Sequence, residues 1–301
     1  MNTDTSAMET SFLKLEKGSA IALVYRLQTA AAVSVAQKVA TYLQKKGFEV
    51  YTAPGQKLIP GTKAARSKKQ LDEIKLAIVL GGDGTYLRGV RVLEGRNIPL
   101  LGFNMGSLGF LTVHPEESAF KIIDKTIKGE MALLPTSMLY AKVMRKGKKR
   151  VDFHALNDLV LERGSFSQLI NTAIYSEKFL VSQIKADGII VSTPSGSTAY
   201  NLAAGGPIVH PEAPVLVVAP VAPHSLTSRP LIFPDQRAIS FKLEGKTQKA
   251  HLIVDGQKMT EVTAADEVIV MRSCYDHWMV REPNHNFYHL LREKLKFGDR
   301  N

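Results

Sequence analysis

Ala20-Ile21-Ala22-Leu23-Val24-Tyr25 is apolar on both faces and predicts a buried strand. From Thr29 to Lys46 the apolar positions Val35, Val39 and Leu43 recur at helical spacing, and Gly47 supplies a stop. Phe48-Glu49-Val50-Tyr51 and Leu76-Ala77-Ile78-Val79-Leu80 predict further strands, Tyr86 to Leu93 a short helix and Ile98 to Phe103 another strand. Glu116 to Lys128 predicts a helix with Phe120, Ile123 and Ile127 on its apolar face. Strands alternating with helices imply right-handed crossovers and a parallel, doubly wound α/β sheet.

The rhythm changes after Gly129. Ser137 to Met144, Ala155 to Glu162, Asn171 to Ser176, Gly188 to Ser192, Val215 to Val218, Ile239 to Leu243, Ala250 to Val254 and Glu267 to Met271 are short strand candidates. Turn signals such as Arg145-Lys146-Gly147-Lys148 and Glu244-Gly245-Lys246 separate them, and only Ser197 to Ala204 reads as helical. The expected organisation is an α/β domain over 1–134, a mostly β domain over 135–284, and a helical tail over 285–301. Leu290, Leu291 and Leu295 would let that tail pack back on the first domain.

Composition narrows the classes. In 301 residues, 45% hydrophobic and 22% charged, there is ample material for a core, which excludes a disordered tail protein, a collagen-like fibre or a disulfide-stapled module. A net charge of +11 favours anionic partners: nucleic acid, an acidic membrane or phosphorylated small molecules. Lys148-Lys149-Arg150 lacks the interleaved aromatics of a nucleic-acid patch and reads as a charged hairpin tip. One cysteine, Cys274, cannot form an internal disulfide. The polar start, Met1 to Ser11, is unlike a signal peptide, and no apolar run reaches about 18 residues. The expectation is a cytoplasmic protein with neither membrane nor nucleic-acid partner.

Candidate chemistry concentrates in glycine- and hydroxyl-rich turns. Gly81-Gly82-Asp83-Gly84-Thr85 follows the most apolar strand and opens a helix. Its glycines permit a sharp bend and close ligand approach, and the helix start aims free N–H groups at an anion. Asp83 beside a phosphate is repulsive unless it binds a metal ion, takes a proton from a nucleophile or contacts a hydroxyl. A tight turn capped by Asp83 accounts for the glycines equally well. The next strand ends in Gly102, Gly106 and Gly109 at G-x-x-x-G-x-x-G spacing, which is not the dinucleotide fingerprint. Ser192-Thr193-Pro194-Ser195-Gly196-Ser197-Thr198 predicts hydroxyls at a helix start, able to bond a nucleobase or phosphate. Asn157-Asp158 sits within the apolar strand Ala155 to Leu161; an amide next to a carboxylate suits a diol only if both reach through a turn or bulge, and a surface pair is the plain alternative. His285 and His289 stand one helical turn apart without an evident third ligand.

These residues together carry a resemblance. Gly81-Gly82-Asp83-Gly84-Thr85 resembles the motif shared by NAD kinases, diacylglycerol and sphingosine kinases and, more distantly, phosphofructokinases. Asp187 to Tyr200, followed by Ala204-Gly205-Gly206-Pro207, resembles the long motif of the NAD kinase family. Asn104 to Leu111, Asn157-Asp158, Pro223 to Pro230 and Asp255-Gly256-Gln257 add to it, over roughly residues 75 to 285.

The resemblance implies phosphorylation of the 2′-hydroxyl of the adenosine ribose of NAD, giving NADP. The donor would be ATP or polyphosphate, with Mg²⁺ or another divalent ion, in a homodimer or homotetramer. Asp83 matches the general base. Gly84, Arg88, Asn157, Asp158, Lys185 and Asp187 match NAD-contacting positions. So do Ser195, Thr198, Ala199, Tyr200, Asn201, Leu202 and Ala203 around adenine and ribose, and Gln168 and Gln257 at variable contacts. Asp158 stands where the family often has Glu, and Asn201 and Ala203 where it commonly has Ser. The alternatives are a diacylglycerol-type lipid kinase, which would lack the Thr193 to Pro207 text, and a non-catalytic dinucleotide sensor.

Overall fold

A computed structural model describes residues 11–93, 96–164, 168–245 and 248–296. Residues 1–10 of the polar start, the turn residue Lys246 and the end of the tail lie outside the described residues. The chain divides into two compact units, Met1–Pro135 with His277–Asn301, and Thr136–Asp276.

The first unit is built on a parallel sheet. Its strands run in the order Lys63–Ala64, Glu49–Thr52, Ala20–Tyr25, Ile74–Leu80, Leu100–Asn104. Met279, near the end of the long Asp266–Arg281 strand, pairs in parallel with Leu100. All of Ala20–Tyr25 and Leu76–Leu80 is buried, as strands covered on both faces require. The sheet order reverses between Ala20–Tyr25 and Ile74–Leu80. This makes the carboxyl ends of those strands, at Tyr25 and Leu80, the topological switch point where such sheets bind ligands. The Ala30–Lys45 helix buries Val35, Val39 and Leu43 as its periodicity predicts.

Two helices differ from expectation. The second begins at Asp83, three residues before Tyr86, so the aspartate belongs to its first turn. The Ala119–Lys128 helix buries Ala119, Ile122, Ile123 and Thr126, whereas Phe120 is exposed against Tyr42 and Ile127 is half-buried. A separate 3-10 turn, Glu116–Ser118, precedes this helix, and the buried stripe is centred on Ile122, Ile123 and Thr126, which leaves Phe120 and Ile127 at its margins. The Phe287–Leu295 helix belongs to this first unit, with Leu290 and Leu291 buried.

The second unit is a sandwich of antiparallel sheets. One orders Leu231–Pro234, Val215–Val221, Gly188–Ser192, Asp158–Arg163, Lys249–Val254 and Gln257–Thr263. The other joins Phe179–Ala186, Ile170–Ser176, Ile239–Leu243 and the start of Asp266–Arg281. Ile174, Phe241 and Val268 from one sheet and Leu159, Val191 and Leu252 from the other share one core. Lys148-Lys149-Arg150, read as a charged hairpin tip, follows the Lys146-Gly147 turn and opens the strand Lys148–Ala155, which pairs antiparallel with Ala132–Arg145, Arg145 opposite Lys148. The predicted strand through Asn157 is broken: Leu156 and Asn157 lie between Lys148–Ala155 and Asp158–Arg163. The predicted helix Ser197 to Ala204 shrinks to a 3-10 turn, Ser195–Thr198, and a single α turn, Tyr200–Ala203, because Ala199 leaves helical geometry at φ −97°, ψ −127°.

Candidate functional site

In the first unit the chain leaves the switch point through Gly81 and Gly82 and turns into the Asp83–Val92 helix. A Cβ at Gly82 or Gly84 would meet open space, which leaves this bend accessible to a ligand. The Asp83 side chain folds onto the loop after Leu100–Asn104. Its Oδ1 accepts from Leu111 N at 3.0 Å, Thr112 N at 3.0 Å and Thr112 Oγ1 at 3.1 Å. Its Oδ2 accepts from Phe110 N at 2.9 Å. Gly109 is required by this approach, since a Cβ there would overlap the Asp83 carboxylate and Thr112 Oγ1. The glycine spacing of this loop is thus explained by a carboxylate rather than by a dinucleotide fingerprint.

Sequence reasoning passed over the group behind that loop. Arg281 is fully buried, and its Nη2 donates to Phe110 O at 3.2 Å and Leu111 O at 3.0 Å. Burial depresses its pKa, with Tyr86 and Asp83 pulling the other way. Its one signal in sequence is a cation closing the apolar run Met279-Val280. Asn104 Nδ2 adds a bond to Thr112 O at 3.2 Å. Beneath the loop, Tyr86 OH lies 2.9 Å from His277 Nε2. Burial and then the Arg281 charge press His277 down to about 3, so it is neutral at pH 7. Arg88 Nη2 bonds Tyr25 O at the switch point and Gln56 Oε1 at 2.5 Å, leaving its buried Nε without a partner.

The second unit repeats the device. Asp255, at φ +44° in a turn, accepts from Leu156 N at 2.9 Å, Asn157 N at 2.8 Å and Asp158 N at 3.2 Å. These bonds hold Asn157 and Asp158 at the strand break. Burial, reinforced by the Asp255 charge, pushes Asp158 up to about 7. Asn157 is buried with its Oδ1 unpartnered, an acceptor available to a ligand donor.

The hydroxyl-rich segment packs against the same backbone, and three of its hydroxyls are spent on the chain itself. Thr193 Oγ1 donates to Leu156 O at 2.7 Å and accepts from Gly196 N at 2.9 Å. Ser197 Oγ accepts from Val209 N at 3.0 Å, and Ser192 Oγ donates to Thr193 O at 2.9 Å. All three side chains are buried, so they stitch the chain to itself. Gly196 lies so close to the Asn157 backbone that a Cβ would overlap it. Asn201 is buried too, its amide spanning Ser197 O and Pro207 O at 3.0 Å each.

The other sequence candidates scatter in exposure. Ser195, Thr198, Ala199 and Leu202 are half-buried; Ala203 and Tyr200 are exposed. Burial, then Glu162, Asp158 and Asp187, raises the Tyr200 pKa, so its ring sits amid acidic charge. Asp187 pairs with Arg163 at 3.1 Å. Gln257 is exposed at the start of the Gln257–Thr263 strand, after the Asp255-Gly256 turn. Gln168 and Lys185 are exposed and belong to the other sheet, at the Ile170–Ser176 and Phe179–Ala186 strands. His289 is exposed and pairs with Glu293 at 3.6 Å. Among the described residues no group of three His, Cys, Asp or Glu is placed to hold a metal ion.

Comparison with known proteins agrees with these motifs. The ATP-NAD kinase N-terminal domain matches residues 21–131 and the ATP-NAD kinase C-terminal domain residues 156–282. The NAD kinase of Bdellovibrio bacteriovorus is 72% identical over 291 residues, covering 97% of this chain and 96% of its own. That of Solibacter usitatus is 33% identical over 279 residues, covering 92% and 97%. Yeast NADH kinase complexed with NADH superposes with a TM-score of 0.87 at 26% identity, covering 98% of this chain and 94% of that one. An NAD kinase from Archaeoglobus fulgidus in complex with ATP shares the fold, with a TM-score of 0.71 at 24% identity over 91% and 98%. The matches do not favour the lipid-kinase or sensor alternatives. With both domain models in order and the Asp83 and Asn157-Asp158 motifs inside them, the chain belongs to the NAD kinase family.

Proposed function

We infer that the chain transfers the γ-phosphoryl group of ATP to the 2′-hydroxyl of the adenosine ribose of NAD, releasing NADP and ADP. The carrying observation is the placement of Asp83, a carboxylate at the switch point beside an open glycine bend. The ribose oxygen forms a bond to the γ-phosphorus as the bond to the ADP oxygen breaks. ADP leaves with that electron pair, and the hydroxyl proton passes to Asp83. A carboxylate oxygen has about two lone-pair sites. Three donors fill Oδ1, whereas Oδ2 carries one, so Oδ2 is the oxygen that takes the proton. Such acid–base help is worth roughly 10²–10⁴-fold, and positioning supplies much of the rest.

Asn157 Oδ1 accepts from a hydroxyl or amino donor of the dinucleotide, and Asp158 from a ribose hydroxyl. Gly84, Arg88, Ser195, Thr198, Ala199, Tyr200, Leu202 and Ala203 are proposed contacts; Asn201 acts by bracing its turn. A divalent ion enters as part of MgATP, held chiefly by the phosphates. Assembly as a homodimer or homotetramer is proposed, with exposed Phe179, Leu180 and Val181 on an edge strand offering apolar surface. No helix among the described residues is long and apolar enough to cross a membrane. The proposed setting is the cytoplasm.

The test is a matrix of ATP or polyphosphate against NAD or NADH, with Mg²⁺, read by an NADP-specific coupled dehydrogenase and, for NADH, by direct separation of the phosphorylated product. NADP formation from MgATP and NAD is expected. Tight NAD binding with no turnover under any donor would overturn the reading.

A further inference from the structure

We propose that Arg281 is a positioning residue for phosphoryl transfer, setting the Asp83 carboxylate through two consecutive peptide groups. The inference rests on the reading of Asp83 as proton acceptor. The peptide joining Phe110 to Leu111 receives Arg281 Nη2 on its carbonyl at 3.2 Å and donates its N–H to Asp83 Oδ1 at 3.0 Å. The next peptide, Leu111 to Thr112, does the same at 3.0 Å on both sides. Each peptide dipole therefore lies with its negative end on the guanidinium and its positive end on the carboxylate. The two charges are linked through an aligned pair of peptides, and each strengthens the other's bonds.

The arrangement has a chemical consequence. Three donors saturate Oδ1 and one leaves a lone pair free on Oδ2, which selects the oxygen that meets a hydroxyl. Without Arg281 the two carbonyls lose a buried charged donor, the peptides can rotate, and the carboxylate is no longer held in one orientation. Both carbonyls are served by the one nitrogen Nη2, so lysine can keep the charge and the bonds in part, but its ammonium sits on a shorter, flexible stem and is not held in place by a planar fork. The effect should fall on turnover rather than on substrate affinity, because Arg281 is buried behind the loop and touches it through main-chain atoms.

The experiment compares Arg281→Met, Arg281→Lys, Asp83→Asn and the double variant Arg281→Met/Asp83→Asn in steady-state kinetics, with hydrogen exchange at the Leu111 and Thr112 amides. Arg281→Met should lower kcat about 10- to 100-fold while KM for NAD and for ATP stays within about threefold. Arg281→Lys should recover part of kcat. The Leu111 and Thr112 amides should lose protection while the Leu76–Leu80 strand keeps it. In the Asp83→Asn background Arg281→Met should cost no further turnover. If Arg281→Met does not fold, Arg281→Lys carries the test: a smaller, kcat-selective loss with weakened protection of the Leu111 and Thr112 amides is expected, and unchanged protection would overturn the proposal. Additive losses in the double variant, unchanged kcat, or unchanged amide protection would each overturn the proposal. Retained turnover in Asp83→Asn alone would instead overturn the proton-acceptor reading, leaving the exchange data to decide whether the peptide link exists.

Discussion

The backbone N–H of Asp158 donates to the Asp255 carboxylate at 3.2 Å, so the group that fixes this backbone also sets a like charge before the Asp158 side chain. Burial and that charge lift Asp158 to about 7, against an unfolded value of about 3.9. Between those values the folded chain holds a proton that the unfolded chain has lost. Stability from this group is therefore full below about pH 4 and declines as pH rises towards 7, by up to about 4 kcal/mol. Asp158→Asn should remove that decline. Urea unfolding at pH 5 and pH 8 should show the variant more stable than the parent at pH 8, with the difference much smaller at pH 5.

The same titration predicts a binding effect. The ionised Asp158 accepts from a hydroxyl, so KM for NAD should fall as pH rises from 6 to 8, and Asp158→Asn should flatten that fall. Initial-rate measurements at saturating MgATP would show it; a parallel pH profile in both proteins would count against Asp158 as a ribose acceptor.

Asp83→Asn should reduce kcat by about 10²–10⁴-fold with NAD affinity within a few-fold. The amide places an N–H against one of the loop donors, so a stability loss of about 1–3 kcal/mol is also expected. Near-normal turnover would exclude the general-base role.

Gly109→Ala tests the same carboxylate from the other side. Its methyl would occupy the space of the Asp83 carboxylate, so kcat should fall with only about 1–3 kcal/mol of stability lost. Turnover and thermal unfolding of one preparation separate the two effects.

Thr193→Val distinguishes stitching from ligand contact. Valine is nearly isosteric and leaves Gly196 N and Leu156 O unpaired in a buried place, which should cost about 1–3 kcal/mol. KM for NAD should stay within about twofold. A large rise in KM without destabilisation would restore the hydroxyl to the ligand.

The parallel sheet was legible because strands such as Leu76–Leu80 are buried on both faces and read as continuous apolar runs. The hairpin at Lys148-Lys149-Arg150 was legible from its charge and Gly147, whereas the strand running on to Ala155 was not, because most of its residues are exposed or half-buried and give no continuous apolar run. Asp83 and Asn157-Asp158 were visible as motifs. Arg281 and the full role of Asp255 were not, since their partners are main-chain groups some 170 and 98 residues away, and main-chain groups leave no complementary side chain in the sequence. Composition counts the hydroxyls from Ser192 to Thr198 as donors without separating Ser192, Thr193 and Ser197, which are spent on the chain itself, from Ser195.

The first unit gathers its final pieces, Met279 beside Leu100 and Arg281 behind the Phe110–Leu111 peptides, from beyond an intervening stretch of 141 residues, Thr136–Asp276. During synthesis, Leu100–Asn104 therefore emerges long before Met279; His114–Pro115 pairs with Phe103 and Asn104, but the Leu100 end waits without its parallel neighbour. Assembly of the phosphoryl-transfer loop becomes a late event on the ribosome, and a nascent chain stalled before His277 would present an adhesive apolar margin to chaperones.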